Sequence, residues 1–530
     1  MKKSINDIKI LKYVVYIFLL ILLMPLLYIF KNTLTQNSNY LNLILDKGIL
    51  LIYIQNTLQL ILKVGLLASI IGFLGAYFIT FYNFKNKWII NLLFILPLSI
   101  PVYVGAYTYT DIFHTFSVLE TILKNEFTMN GVVFIYTAFL YPYVYLASRS
   151  YLKNNMAEYI EVSETLQISP LKTFFKVILP LSRPVIVSSS LFVIYESLSD
   201  FAVAEYYGVP TLSKAINDSW LLIAEKDTAF KLSLSLLFIL FFIIYLERIS
   251  RGKGKNNATI HKPNKLKKAS KVQKKFIYAF YTLVISLGFL LPFKNIVEGA
   301  IKNREYFIKK DILSVSINTL TTTLITIFII IVLAMFLTSM LKFFTAKNKR
   351  RISSISMLGY AIPSVVLGLG IYSFLVNIDN VIMPYLQYLG FTEYLFTGTR
   401  LALIIALTFK FLSIAYSQFE QSYEKIDKSI FESSYVLGKN ATKTFFLVDF
   451  FFLLKSVRFV IILIFIDLIK DLTLTYSLRP FNFNTLSTEV YRYAGNEMLD
   501  VAAVPSIVIV MFSIISILIL ERMFKNAKGR

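Results

Sequence analysis

Apolar and polar positions alternate along this chain in long blocks rather than residue by residue. Stretches of mostly apolar residues recur from one end to the other, separated by short polar segments. A helix needs about 20 apolar residues to cross the hydrocarbon of a bilayer. A half-buried strand would instead alternate every second residue. The blocks therefore predict about twelve membrane-spanning helices. In the first half they centre on 13–30, 57–82, 88–112, 131–151, 183–206 and 229–247. In the second half they centre on 276–293, 314–341, 354–376, 399–417, 457–476 and 503–521. The opening MKKSINDIKILK and the apolar run after it read as a retained first span, because the run is too long for a signal peptide and no small-x-small cleavage site follows.

The polar segments repeat. KTFF occurs at Lys172–Phe175 and again at Lys443–Phe446, and residues 161–177 match 432–448 at eight of seventeen positions without a gap. Upstream, Asn56-Thr57-Leu58 matches Asn318-Thr319-Leu320, and Ile100-Pro101 matches Ile362-Pro363, both at an offset of 262; Asp200 matches Asp471 at 271. The landmarks keep their order, so the chain divides into a first repeat at 1–250, a basic linker at 251–275 and a second repeat at 276–530. Six spans per repeat is an even number, which gives both repeats the same orientation and a pseudo-two-fold axis along the membrane normal. Internal symmetry of this kind points to a transport route between the halves.

Charge sets the orientation. From Arg248 to Lys275 the chain carries eleven Lys or Arg residues, and such a segment stays on the cytoplasmic side. With twelve spans, both termini and the basic turns at 83–87 and 347–351 fall on that side too. The formal charge of +23 is read this way, since no aromatic–basic motif for nucleic acid is present. A composition of 56% hydrophobic and 16% charged residues excludes an ordinary soluble domain. The absence of cysteine excludes disulfides and thiolate metal sites. No G-x-x-x-x-G-K-[ST] motif, zinc motif or nucleophilic triad occurs, so the chain reads as neither an ATPase nor another enzyme.

The repeated loops, near 154–182 and 420–455, each read as helix, turn, helix. Ser169-Pro170 supplies an N-cap and a first-turn proline, and Leu171, Phe174, Phe175 and Ile178 follow as an apolar stripe. Asn440 is the corresponding N-cap, with Phe445 and Phe446 on the stripe. A short amphipathic helix outside the bilayer lies on lipid, packs on its own protein, or docks in a partner's groove. Within the spans, Glu196 and Asp200 in the fifth and Asp467, Lys470 and Asp471 in the eleventh are candidates to line a substrate route, because intramembrane charge is costly and faces the bundle interior. The alternative is that Lys470 pairs with Asp467 or Asp471 to hold helices together. Lys410 is expected to snorkel or pair. His114 and His261 are too few and too far apart for a metal site, and no metal ligands are assigned.

The two loops resemble the coupling-loop motif of ABC importer permeases, Glu-small-small-x3-Gly-x9-Ile-x-Leu-Pro. The first copy matches at Glu161, Ser163, Val177, Leu179 and Pro180, and the second at Glu432, Ser433, Ser434, Gly438 and Val448. Gln167 stands where the motif has its turn glycine, and Phe450-Phe451 replaces Leu-Pro. The phrases at 140–152, 198–216 and 470–494, above all Leu478-Arg479-Pro480-Phe481, look like fused twelve-span permeases of ferric-iron importers, with thiamine permeases the nearest rivals. The resemblance implies a type I ABC importer permease-like, all-α polytopic fold. It implies a multi-pass protein of the inner membrane with an ATPase dimer below, a solute-binding protein above, and ATP bound only by the partner. It assigns ATPase coupling to Glu161, Ser163, Gln167, Pro170, Phe174, Phe175, Glu432, Ser434, Gly438, Phe445 and Phe446. Tyr206-Tyr207 reads as an interfacial aromatic anchor rather than an iron contact. An ion-coupled secondary carrier is the alternative of another class, but it has no need of two matched cytoplasmic loops.

Overall fold

A computed structural model describes residues 2–35, 38–115, 127–251, 267–309 and 312–526. Its long helices are numbered here α1 to α12. They are α1 (Lys2–Thr35), α2 (Ile49–Phe81), α3 (Lys87–Ser99 with Val102–Phe113), α4 (Met129–Asn155), α5 (Pro170–Ser199) and α6 (Lys226–Arg251). The second set is α7 (Lys271–Lys302), α8 (Ile312–Phe343), α9 (Ser364–Tyr388), α10 (Arg400–Tyr423), α11 (Phe450–Lys470) and α12 (Leu499–Asn526). Ten are long and apolar enough to cross a bilayer unbroken, and α3 adds an eleventh as a pair bent by 100°. α11 has the length of a span but carries Lys455, Arg458, Asp467 and Lys470. The fold is all-α and polytopic; a two-residue parallel pairing of Tyr82–Asn83 with Lys267–Lys268 ties the end of the linker to the turn after α2.

Four spans differ from the sequence pattern, each for a local reason. The expected span at 354–376 is divided: a helix at Ala346–Ser356 and a turn at Leu358–Ala361 precede the break at Ile362-Pro363, and α9 starts only at Ser364. The break in α3 falls at Ile100-Pro101, the matching landmark of the first repeat. Proline lacks the N–H that would continue the ladder and pushes the residue before it into extended backbone. Ile100 (ψ 120°) and Ile362 (ψ 127°) both take that conformation. The fifth and eleventh spans begin earlier than hydropathy indicates, because the second helix of each repeated loop runs into the span without interruption.

Other landmarks recur as hydrogen bonds. The Asn56 amide donates to the Pro210 carbonyl (2.9 Å) and the Asn318 amide to the Asn484 carbonyl (3.3 Å). The Leu212 N–H donates to Thr57 Oγ1 (3.0 Å) and the Leu486 N–H to Thr319 Oγ1 (2.9 Å). Each pins the outer loop that follows α5 or α11 to the head of α2 or α8.

In each half three helices make a tight core: α2, α4 and α5, and likewise α8, α10 and α11. Close approach needs small residues, since within a bilayer packing rather than hydrophobicity holds helices together. A Cβ on Gly72 of α2 would lie 2.8 Å from backbone atoms of Tyr141 and Tyr145 on α4. The outer helices cross over. α1 packs on α9 of the other half, and α7 packs on α3. A polar relay joins the exchanged parts: Tyr145 Oη donates to Asn91 Oδ1 (2.6 Å), and the Asn91 amide donates to Glu521 Oε1 of α12 (2.9 Å).

Candidate functional site

The structure gathers the candidate residues into two places, one at the end of the bundle that carries the repeated loops and one inside the bundle. At the loop end each repeat opens with a helix, Ala157–Thr165 or Lys428–Val436. The first chain reversal is closed by the Ile168 N–H on the Ser163 carbonyl (2.9 Å), and the second by the Lys439 N–H on the Ser434 carbonyl (3.2 Å). Both reversals pass through left-handed backbone, at Gln167 (φ 52°) and Gly438 (φ 74°). The bend is thus the same in both copies, and Gln167 adopts it without being glycine. Ser163 and Ser434 are buried beneath these turns, and Ser434 Oγ shares a hydrogen bond with Thr444 Oγ1 (2.9 Å). The Asn440 side chain caps the Lys443 N–H (2.9 Å), whereas the Ser169 hydroxyl makes no capping bond and Pro170 alone starts its helix. Ahead of the second loop, the Ser429 N–H holds the Asp427 carboxyl below its ordinary range. The Glu432 side chain, the His114 side chain and His261 lie outside the described residues, and Glu161 is half-buried.

The second loop helix is not the free-standing amphipathic element that the pattern predicts. Pro170–Thr173 passes through a five-residue π-helical turn at Phe174–Ile178 and continues as the rest of α5. Ala441–Thr444 does the same through Phe445–Asp449 into α11. The two KTFF copies thus enter matching π-bulges, which are rare and concentrate at functional positions. The expected stripe splits into two rows. Phe174 turns inward onto Tyr77 (4.8 Å between ring centroids) and Phe73 of α2, with Ile178 buried behind it. Leu171 and Phe175 stay exposed. In the second copy Phe445 is half-buried and Phe446 exposed, and a buried ion pair, Lys342 Nζ to Asp449 Oδ2 (2.5 Å), ties the bulge to α8.

About thirty residues along each of these helices lies the second place. A cavity of about 80 Å³ sits where the break in α3, the start of α9 and the ends of α5 and α11 meet. All five predicted pathway residues line it: Glu196, Asp200, Asp467, Lys470 and Asp471. Lys410 of α10 joins them and pairs with Asp471 (3.0 Å), both side chains being almost fully buried. Lys470 pairs with Asp467 (3.4 Å) and also donates to the Leu98 carbonyl at the α3 break (3.0 Å). Asp200 accepts from the Ala202 N–H (2.7 Å), and Glu196 accepts from the Tyr360 hydroxyl. Tyr103, Tyr143 and Ser364 line the same space and were not singled out by the sequence, because hydroxyls carry no hydropathy signal in a chain with thirty-four tyrosines.

Tyr207 is buried, with its hydroxyl donating to the Ala106 carbonyl (3.3 Å), so it is not an interfacial anchor in lipid. Tyr206 shares a hydrogen bond with Thr110 (3.0 Å) and packs edge-on against Tyr107. In the distinctive outer phrase, Arg479 lies over the Tyr476 ring and Phe481 is 93% exposed.

Comparison with known proteins agrees with this architecture. Residues 65–251 match the family described as binding-protein-dependent transport system inner membrane component. Over 485 residues the chain is 25% identical to a Fe(3+)-transport system permease protein of Haemophilus influenzae, covering 88% of this chain and 89% of the relative. It is 22% identical over 449 residues to a ferric transport system permease protein of Actinobacillus pleuropneumoniae, covering 77% and 61%. A probable sulfate transport system permease protein of Helicosporidium is 28% identical over 191 residues, covering 34% and 70%. The resemblance to ferric-type ABC importer permeases thus extends over most of the chain, and together with the ten long apolar helices it supports a multi-pass membrane protein.

Proposed function

We propose that this chain is the membrane-spanning permease subunit of an ATP-driven, binding-protein-dependent importer, that its substrate is ferric iron, and that it works by alternating access coupled to a separate ATPase. The observation that carries this reading is the pair of unbroken helices, Pro170–Ser199 and Ala441–Lys470, each running from a tight cytoplasmic turn to a cavity carboxylate. At 1.5 Å per residue each helix spans about 45 Å. A push on the turn is then a push on the cavity wall, with no flexible joint between them. An ATPase dimer below, one subunit per turn, would close on ATP binding and move both helices together. Leu171 and Phe175 in one copy and Phe446 in the other are the exposed apolar groups for its grooves. Phe481, on the opposite face, suits a docking solute-binding protein. Both termini are cytoplasmic in this arrangement, in keeping with the basic loops.

The substrate assignment rests on the ferric relatives and on the carboxylate and hydroxyl lining, since a hard cation prefers oxygen. The test is uptake of radiolabelled ferric iron in cells lacking and then regaining the gene, with thiamine uptake in parallel. Iron uptake should disappear with the gene and return with it. Lost thiamine uptake with normal iron uptake would keep the coupling and overturn the substrate. Uptake that survives deletion of the partner ATPase would overturn the coupling.

A further inference from the structure

The repeat places carboxylates at four equivalent positions but neutralises only two. At the offset of 271, Glu196 corresponds to Asp467 and Asp200 to Asp471. In the second half each acid has its own cation: Lys470 for Asp467 and Lys410 for Asp471. The first-half counterparts of those lysines are Ser199 and Phe139. Glu196 and Asp200 take their hydrogen bonds from neutral donors, Tyr360 for Glu196 and the Ala202 and Val203 N–H groups for Asp200; Lys410 acts on both through space, but among the described residues no cation lies within ion-pair distance of either. Two further groups face the same cavity with nothing to bond to. Tyr103 Oη and Ser364 Oγ are buried, line the chamber, and have no hydrogen-bond partner among the described residues. A buried hydroxyl left unpaired is costly, so an occupant that engages both would recover that cost.

We propose that Glu196 and Asp200 are the carboxylates that meet a cationic substrate in the chamber, with the Tyr103 and Ser364 hydroxyls as neutral oxygen donors, and that Asp467 and Asp471 are locked by their lysines as scaffold. This rests on the importer reading above and divides its pathway between the halves. With all six charged groups ionised the chamber carries four negative and two positive charges, and the excess of two belongs to the first repeat. Among the described residues no three acids or histidines come close enough to hold a metal. The chamber therefore offers a weak set, two carboxylates and hydroxyls, which suits a cation in transit because a site that conducts must also release. At about 80 Å³ it has room for an ion with part of its water shell.

The experiment measures initial rates of ferric uptake against concentration, per transporter present in the membrane, for the full complex. E196Q and D200N should each raise KM or lower the maximal rate by tenfold or more, with E196D and D200E recovering part of the loss. S199K and F139K, which give the first half the cations of the second, should abolish uptake while the protein still reaches the membrane. The paired neutral variants D467N/K470M and D471N/K410M should lower transporter abundance, with a smaller rise in KM than E196Q or D200N. If the paired second-half variants raise KM tenfold and the first-half variants do not, the assignment is wrong and the importer reading stands. If the wild-type protein supports no ferric uptake at all, the importer reading has failed at its substrate and this assignment fails with it.

Discussion

Gln167 and Gly438 pose the same backbone question with different side chains. Both residues lie in the left-handed region, at φ 52° and 74°. Left-handed backbone costs an L-residue roughly 1–2 kcal/mol. A Cβ on Gly438 would meet nothing within 4 Å, so the cost of a side chain there is conformational alone. Replacing glycine also restricts the unfolded chain, which returns about 0.4–1 kcal/mol. G438A should therefore destabilise by about 1 kcal/mol or less, and Q167G should stabilise by a similar amount. Thermal unfolding of the purified complex, read near the loop by a site-specific fluorophore, checks both signs. A gain from G438A would mean that the turn is not held as described. The sequence made the equivalence of the two turns plain and left the conformation of Gln167 open, because glutamine has no strong left-handed preference. It likewise marked Asp471 and expected Lys410 to snorkel or pair, but it did not name the two, sixty-one residues apart, as partners. Pairing between two helices is set by how they face each other, which no local pattern encodes.

The same limit appears at the scale of elements. Hydropathy located the spans, yet it broke the loop helices away from α5 and α11, since polar residues such as Lys172 and Lys176 interrupt the apolar run while the backbone ladder continues. Nor does a sequence pattern reveal the π-bulges, which insert one residue per turn without changing composition. Each bulge takes up one extra residue between the loop turn and the span beyond it, and so keeps the two in phase. Inserting one alanine after Ser188, in the regular helix beyond the first bulge, should rotate the turn by about 100° relative to the cavity, one residue's share of a helical turn. Uptake should fall at least tenfold while the protein still reaches the membrane; retained uptake would show that phase does not matter. The two bulges are anchored differently, by aromatic rings on α2 in the first copy and by Lys342–Asp449 in the second. A buried pair broken on one side leaves an uncompensated charge, worth about 3–5 kcal/mol. K342M should lower thermal stability by that order, and K342M/D449L should recover most of it. If the double variant is as unstable as the single one, the stranded charge is not the cause.

For the whole molecule, the crossing of α1 onto α9 and α7 onto α3 decides how the halves depend on each other. In a bilayer, helices associate through close packing and polar contacts rather than through hydrophobic exclusion. A first repeat made alone would leave the faces of α1 and α3 that meet the second repeat without their fitted partners. It would also lose Glu521, to which Asn91 is hydrogen-bonded. A repeat on its own should thus insert but fail to accumulate. The described part of the linker, by contrast, pairs Lys267–Lys268 with Tyr82–Asn83 and otherwise ends α6 and caps and starts α7. Fragments 1–260 and 261–530, produced together, should therefore assemble and recover a large part of the uptake, whereas either fragment alone should be degraded. The measurement is membrane abundance of each tagged fragment with and without its partner. A first fragment that accumulates equally well alone would show that each half packs independently, and the rocking of two exchanged halves would have to give way to motion within each repeat.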